Sequence, residues 1–285
     1  MIPAPHNYAI TTMSREEIDT AIDWAAIEGW NPGLHDADCF YAADPTGFFM
    51  GKIGDTPVAA MAAVRYGAHF GFAGLYIVKP EYRKKGYGIQ IWNKGLDYLA
   101  ERTIGLDGVV AQQDNYKKSG FRFAHRNMRF AGTSKTNQNL SPNIRILSVD
   151  NFSSVHEYDK NFFPADRENF LKKWIAQPGS FSFGFFMHEK LQGYGVIRAC
   201  RSDYKIGPLN AETPAIAHEI LIALTSKIPA GTAIYLDAPE PNTEAIDLAH
   251  KHGMQFSFET ARMYAGEFPE LPLQKIFSIT SFELG

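Results

Sequence analysis

The chain has 285 residues, of which 45% are hydrophobic, and this is enough for a substantial buried core and favours two domains of ordinary size. Its formal net charge of -3, without a run of like charges, gives no sign of a nucleic-acid partner. The two cysteines, Cys39 and Cys200, have no metal-ligand pattern around them, and no stretch approaches the roughly 20 apolar residues of a membrane span. We therefore expect a cytoplasmic protein with no metal, no membrane association and no nucleic-acid partner.

The chain begins with a pattern of strand, helix, helix and three strands. Tyr8 to Met13 predicts a strand, and Ser14 is a plausible N-cap for the helix that follows, with Glu17 at the capping-box position. A second short helix is predicted over His35 to Ala43. Three strands follow at 47–53, 57–66 and 69–78, separated by turns that contain glycine, which is typical of an antiparallel meander.

The turn after the third of these strands is the most informative segment of the sequence. It reads Arg83-Lys84-Lys85-Gly86-Tyr87-Gly88 and opens a long helix that is predicted to end near Glu101. Its glycines leave backbone N–H groups unobstructed, and a helix N-terminus adds unpaired donors and a partial positive charge. The turn therefore predicts a pyrophosphate site. The alternative is a solvated basic turn that only begins an amphipathic helix.

A second segment with chemical content follows this helix. A short apolar strand over 105–111 contains one acid, Asp107, and the next few residues include Asn115 and Tyr116. A Gly-Phe pair at 120–121 opens the next strand, which is predicted to run to Phe130.

Together these segments resemble the GNAT N-acetyltransferase superfamily. The turn lacks the glycine patterns of phosphate-loop and dinucleotide-binding proteins, whereas Arg-x-x-Gly-x-Gly directly after a strand is similar to the acyl-coenzyme A loop of that family. The spacing of Tyr116 from the Gly-Phe pair also fits the family. The resemblance implies an α/β (α+β) fold, a mixed and mostly antiparallel sheet flanked by helices, and acetyl-CoA as the acyl donor.

The resemblance also implies roles for particular residues. Tyr116 would protonate the departing thiolate as a general acid, although it could instead simply pack a short helix on the sheet. The residues expected to bind the cofactor are Tyr76, Ile77, Val78, Arg83, Lys84, Lys85, Gly86, Tyr87, Gly88 and Asn115.

Fewer residues of the sequence point to the acceptor side of the expected site than to the cofactor side. Asp107 is the first choice for the general base, and the alternative is a structural acid that accepts hydrogen bonds at a strand bulge. Trp30, Asn31 and Asp36 would line the substrate side, but Trp30 and Asn31 could equally cap a helix and fill the core.

The second half repeats the order of elements in the first. A polar stretch at 132–143 reads as a linker, which gives domains at 1–132 and 143–285. After it we predict a strand over 144–149, helices at 151–160 and 166–176, and further strands and helices to Ala265. The loop over 209–213 has no Arg-x-x-Gly-x-Gly, so the second domain resembles a degenerate GNAT-like repeat, as in a bacterial two-domain group.

We therefore expect an N-acyltransferase that moves an acetyl group from acetyl-CoA to an amine by direct attack in a ternary complex. A small-molecule amine is the favoured acceptor. The alternatives are a non-catalytic acyl-CoA-binding or sensing module and a protein-lysine acetyltransferase. The sequence leaves open whether the protein is a homodimer.

Overall fold

The computed structural model describes residues 7–135 and 140–285, which form eight α-helices and one sheet of thirteen strands. The first half contains β1 (Tyr8–Thr12), α1 (Arg15–Ile27), α2 (Asp36–Ala43), β2 (Phe48–Ile53), β3 (Thr56–Tyr66), β4 (Phe70–Val78), α3 (Tyr87–Tyr98), β5 (Thr103–Val109), α4 (Gln113–Lys118) and β6 (Arg122–Thr133). The second contains β7 (Ile144–Ile146), α5 (Phe152–Asp159), α6 (Glu168–Trp174), β8 (Ser180–Met187), β9 (Lys190–Ala199), β10 (Tyr204–Ala211), α7 (Pro214–Thr225), β11 (Ala233–Pro239), α8 (Thr243–Lys251), β12 (Gln255–Ala265) and β13 (Ile276–Ser278).

The structure confirms the predicted α/β class and the repeated order of elements. The capping box at Ser14 and Glu17 forms as expected and begins α1. Residues 136–139 of the expected linker lie outside the described residues. The sequence patterns predict no element over 266–285, where the structure has a short 3-10 helix and β13.

The last strands of the two halves are exchanged. The sheet order is β1-β2-β3-β4-β5-β12-β6-β11-β10-β9-β8-β7, and β13 pairs with β10. Thus β12, from the second half, pairs antiparallel with β5, while β6 pairs with β11, and the two exchanged strands pair with each other. Neither the stretch before the linker nor the stretch after it holds a complete sheet of its own.

The two halves also share a hydrophobic core on one face of the sheet. This cluster, which we call the shared core, contains Phe40 and Phe72 from the first half and Trp174 and Tyr194 from the second, all fully or almost fully buried. On the other face of the first half, α3 covers the meander. Burial of such large side chains across the joint provides the main apolar stabilisation between the halves.

A buried ion pair fixes the two halves beside this core. Asp36, at the start of α2, accepts a hydrogen bond from the Gly33 N–H at 2.7 Å and pairs with Arg198 of β9 at 2.9 Å. The Asp36 side chain is 0% exposed and that of Arg198 is 2% exposed. Removing one member of such a pair would leave an uncompensated charge inside the protein.

None of the helices formed by the described residues is both long enough and apolar enough to cross a membrane.

We expect Asp36→Ala to lower the free energy of unfolding by about 3–5 kcal/mol, because Arg198 would stay buried without its counter-charge. As a control, Asp19→Ala removes an exposed partner of Arg15 and should cost less than about 1 kcal/mol. Urea unfolding curves measure both values. The double change Asp36→Leu with Arg198→Met should recover most of the loss, and a loss for Asp36→Ala no larger than that of the control would contradict this role of the pair.

Candidate active site

Strands β4 and β5 are parallel and separate at one end. They pair from Phe70 opposite Thr103 to Ala73 opposite Leu106, but β4 continues to Val78 and β5 to Val109. A bulge on β4 lies at this point, because the register against β3 shifts between Gly74 and Ile77. We call this V-shaped opening the cleft.

The bulge is built on an uncommon backbone conformation. Leu75 has φ 45°, in the left-handed region that non-glycine residues seldom adopt. Such a residue costs on the order of 1–3 kcal/mol, and it persists where the surrounding packing holds it. Here Leu75 is buried in the shared core, which supplies that packing.

The basic turn lies at the open end of β4. Lys84 and Gly86 have φ of 61° and 86°, and α3 begins at Tyr87 without a side-chain cap. Within residues 7–135 and 140–285, the backbone N–H groups of 84–86 have no hydrogen-bond acceptor. Free N–H groups at a helix N-terminus are a ready anion site.

The cations of the turn differ in what they contact. Arg83 donates from Nε to the Val78 carbonyl at 2.8 Å and forms an ion pair with Glu28, so it fastens the turn to β4 and α1. Lys84 and Lys85 are exposed, and Lys85 lies over the ring of Tyr82. The two lysines therefore supply the accessible positive charge.

Tyr116 lies against the wall of the cleft formed by β5. A side chain at Gly108 would overlap the Tyr116 ring, so the glycine permits this close approach. The ring also packs on Trp92 of α3, which in turn contacts the rings of Tyr76 and Phe121. Burial, with a smaller effect from Tyr76, raises the pKa of Tyr116 to about 12, and the phenol therefore carries its proton at neutral pH.

Asn115 lies on the same short helix but bonds within it. Its side chain donates to Gln112 at 2.7 Å and accepts from Lys118 at 3.1 Å, and it is exposed.

Asp107 is held in a buried network. Arg262 of β12 donates to its two oxygens at 2.6 and 2.9 Å, and Asn127 of β6 donates at 2.7 Å. The Asp107 side chain is 0% exposed. With both oxygens already occupied by a guanidinium and an amide, the geometry favours the structural interpretation of this acid, which joins β5 to the exchanged strands.

The three residues expected on the acceptor side all contact the second half. Asn31 exchanges two hydrogen bonds with the backbone of Ser202, both at 2.8 Å, and the Trp30 carbonyl accepts from Lys205 at 2.8 Å. Asp36 pairs with Arg198, as described above. These polar groups therefore belong to the joint between the halves.

The corresponding cleft of the second half is filled by the chain itself. Strands β10 and β11 pair only from Tyr204 to Ile206, and β13 lies in the space beyond. Ser278 accepts from the Asp237 N–H at 3.1 Å, and the Ile279 N–H donates to the Asp237 carbonyl at 2.9 Å. The apolar run Ile276-Phe277 was the only signal in the sequence for this strand.

The segment from 279 to 285 then crosses to the cleft of the first half. A side chain at Gly74 would overlap the carbonyl oxygen of Glu283, and the Tyr66 hydroxyl donates to the Leu284 carbonyl at 3.1 Å. Glu283 is 3% exposed. No local sequence pattern marks this residue, because its approach to β4 depends on the exchange of strands.

A buried histidine lies close to the Asp107 network. His125 of β6 is opposite Arg262, and burial, followed by the charge of Arg262, lowers its pKa to about 3. Among the described residues, no group of three or more His, Cys, Asp or Glu side chains is arranged to hold a metal ion.

Comparison with known proteins decides the family. Residues 15–121 match the model of the "Acetyltransferase (GNAT) family", and residues 155–278 match that of an "Acetyltransferase (GNAT) domain". Holothin acyltransferase from Pseudoalteromonas sp. (strain SANK 73390) is 32% identical over 272 residues, which cover 95% of this chain and 92% of that protein. The chain belongs to the GNAT acetyltransferase family. It is a tandem GNAT protein and an acyltransferase.

Other known proteins are similar to most of this chain. The uncharacterized N-acetyltransferase YitH from Bacillus subtilis is 23% identical over 217 residues, which cover 74% of this chain and 76% of that protein. A solved structure of a proposed acetyltransferase from Pyrococcus horikoshii superimposes with a TM-score of 0.82 at 21% identity, covering 99% and 98% of the two chains. A tandem GNAT protein of the clavulanic acid pathway has a TM-score of 0.61 at 12% identity, covering 92% and 100%. The structural likenesses concern the fold alone.

We predict a contribution of His125 to acid sensitivity. Its pKa is about 6.5 when unfolded and about 3 when folded, so below pH 6.5 the unfolded chain binds more protons and stability falls as the pH falls. At pH 5 this loss should reach about 2 kcal/mol. Urea unfolding at pH 7 and pH 5 should show that His125→Gln loses about 2 kcal/mol less than the wild type over this interval. Equal losses would mean that the histidine becomes protonated in the folded protein.

Proposed function

We propose that the protein transfers an acetyl group from acetyl-CoA to a small-molecule amine in a ternary complex, using the cleft of the first half. The observation that carries this proposal is the combination at the end of β4: an open cleft, a helix N-terminus with free N–H groups, and two exposed lysines. The corresponding space in the second half holds β13. One donor molecule per chain is therefore the expectation.

On the donor side, the pyrophosphate of coenzyme A would accept hydrogen bonds from the N–H groups of 84–88, with Lys84 and Lys85 supplying the counter-charge. Arg83 would act by holding the turn, since its guanidinium already contacts Val78 and Glu28. The pantetheine arm would lie along the free edge of β4 at 76–78, where β5 has separated. A backbone N–H there would polarise the thioester carbonyl, an effect worth roughly 3 kcal/mol for a good donor.

Tyr116 is suited to the departing thiolate. The neutral amine attacks the carbonyl carbon, the C–S bond of the tetrahedral intermediate breaks, and the phenol delivers its proton to the sulfur. A raised pKa keeps this proton on the tyrosine until the thiolate forms. This position also weighs against a module that only senses acyl-CoA, because a sensor has no use for an acid beside the sulfur.

A small-molecule acceptor is supported by two observations. The relative that is 32% identical carries the name of an acyltransferase for holothin. The face of the cleft opposite α3 is enclosed by the shared core and by segment 279–285, which suits a small amine better than a lysine on a folded protein.

Calorimetric titration with coenzyme A tests the donor site. We expect one equivalent per chain, and affinity at least tenfold weaker, about 1.4 kcal/mol, for Lys85→Glu and for Gly86→Val. The first change repels the pyrophosphate and the second strains a residue at φ 86°. Lys190→Glu makes the same charge change at an exposed position of the second half and should bind like the wild type. Two equivalents, or equal affinity in all variants, would contradict the assignment of the site.

A screen for the acceptor tests the activity. Wild-type protein and Tyr116→Phe are incubated with acetyl-CoA and a panel of primary amines, covering alkylamines, arylalkylamines, amino sugars and heteroaromatic amines, and thiol release is recorded. We expect acylation of at least one amine by the wild type, and turnover about 10- to 1000-fold lower in Tyr116→Phe with unchanged coenzyme A affinity. Failure of the wild type on every amine would refute the proposed function, whereas equal turnover of the two proteins would exclude only the role of Tyr116.

A further inference from the structure

Three buried side-chain atoms among the described residues have no hydrogen-bond partner: Oδ1 of Asn127, Oγ1 of Thr260 and Oε2 of Glu283. Buried polar atoms in folded proteins are nearly always paired, so each exception calls for an explanation. Asn127 and Thr260 are directly opposite each other on β6 and β12. Both lie just beyond the level of Asp107, toward the open end of the cleft.

Glu283 reaches the same face of the sheet from a different direction. Asn127 bonds to Asp107, Asp107 pairs with Arg262, and the Arg262 guanidinium lies over the ring of Phe72 on β4. Gly74 is two residues further along β4 and therefore faces the same side. The Glu283 backbone lies against Gly74, where β4 and β5 separate.

This face is opposite the one that holds Tyr116. Gly108, which contacts the Tyr116 ring, follows Asp107 on β5, and successive residues of a strand point to opposite sides. Glu283 and Tyr116 thus lie on the two sides of one opening. A thioester in the cleft would therefore lie between Tyr116 on the side of α3 and the segment that carries Glu283 on the other side.

The charges around Glu283 do not satisfy it. Arg129, Arg198 and Lys205 are near enough to interact with it electrostatically. Each has a closer partner, however: Arg129 pairs with Asp237 at 2.7 Å, Arg198 with Asp36 at 2.9 Å, and Lys205 donates to a backbone carbonyl. Among the described residues, none forms an ion pair with Glu283 within 4.0 Å. A buried carboxylate with a free oxygen is a site for a cation that can donate hydrogen bonds.

The neighbouring residue gives the site an apolar border. Phe282 packs on the Arg129 guanidinium at 4.6 Å and on the ring of Phe258, which is 36% exposed. Glu283 follows Phe282 in the chain and interacts electrostatically with Arg129, so these two rings and the arginine lie near its carboxylate. They suit an amine that carries an aromatic or other apolar group.

We propose that Glu283 is the acceptor-binding carboxylate and general base of the reaction, with Asn127 and Thr260 as further polar contacts and Phe258 and Phe282 as the apolar side of the acceptor site. This inference rests on the proposed acyl transfer. It assigns the acceptor site of the first half to a segment of the second.

The Glu283 carboxylate accepts one proton from the acceptor ammonium, and the free amine attacks the thioester carbonyl carbon. The C–S bond breaks as the amide forms. The remaining surplus proton leaves the nitrogen for solvent, while Tyr116 protonates the sulfur and is reprotonated by solvent. Glu283 then releases its proton to solvent, so that the products are the amide, free coenzyme A and one proton.

The alternative is that Glu283 only balances the buried cations, and the two roles respond differently to pH. Loss of a counter-charge destabilises the protein but leaves the shape of the rate profile unchanged. Loss of the base makes the reaction depend on amine that is already deprotonated in solution. The loss of kcat/KM in such a variant should then become smaller as the pH rises toward the pKa of the amine.

The test compares wild type, Glu283→Gln, Glu283→Asp and the exposed control Glu267→Gln, using the panel amine with the highest wild-type turnover. For Glu283→Gln we expect kcat/KM for the amine to fall at least 100-fold at pH 7, with unchanged coenzyme A affinity. The ratio of the wild-type kcat/KM to that of Glu283→Gln should decrease by up to about tenfold per pH unit between pH 7 and 9. Glu267→Gln should behave like the wild type.

Glu283→Asp covers the case in which the glutamine variant does not fold. It keeps the charge but retracts the carboxylate, so a merely structural counter-ion would tolerate it, whereas a base should lose at least tenfold in kcat/KM. Wild-type rates in the folded variants, or a deficit that does not change with pH, would overturn the assignment of Glu283 and leave the proposed function intact. If the wild type acylates no amine, the proposed function itself fails, and this assignment fails with it.

Discussion

The pairing of β6 with β12 at the centre of the sheet is the constraint on which the other features depend. Because the last strand of each half pairs with strands of the other half, β5, which forms one wall of the cleft, is supported by β12 from the second half. Arg262 on β12 and Asn127 on β6 hold Asp107. The exchange also directs segment 279–285 back toward β4, where Glu283 meets Gly74. A first half without the second would therefore lack a strand and the residues on one side of the cleft.

The joint between the halves is unusually rich in buried charge. Among the described residues, four carboxylate–guanidinium pairs lie on or near it, with side chains at most 8% exposed: Asp36–Arg198, Asp107–Arg262, Arg129–Asp237 and Arg167–Asp159. Such pairs contribute little net stability, because desolvation offsets most of their attraction. They can instead make incorrect pairings of the strands less stable, because any shift of register would leave several of these buried charges unpaired. Glu283 differs from these acids because its buried Oε2 has no such partner within residues 7–135 and 140–285.

Local sequence patterns predicted most of the fold, but they could not predict the contacts between the two halves. The capping box at Ser14 and the glycine turn before α3 each depend on residues that are close together in the sequence. The helices and strands around them could therefore be predicted. The family resemblance rested on the same short segments. The pairings of Asp36 with Arg198 and of Asp107 with Arg262 join residues more than 150 positions apart, and no periodicity signals them. Residues 276–285 were missed because a strand of three residues followed by a turn leaves no periodic pattern long enough to predict.

Residues 276–285 account for the difference between the clefts of the two halves, which otherwise repeat one fold. In the second half, β13 occupies the space between β10 and β11 and forms the backbone contacts that an extended ligand would otherwise form there. A few residues later the same segment lies across β4 without entering the cleft of the first half, and it contributes a carboxylate instead of a strand. The same segment therefore fills the cleft of the second half, through β13, and lines the cleft of the first half, through Glu283. A change that released β13 from β10 would open a second space and at the same time displace Glu283, so the number of donor sites and the acceptor chemistry are coupled through one segment.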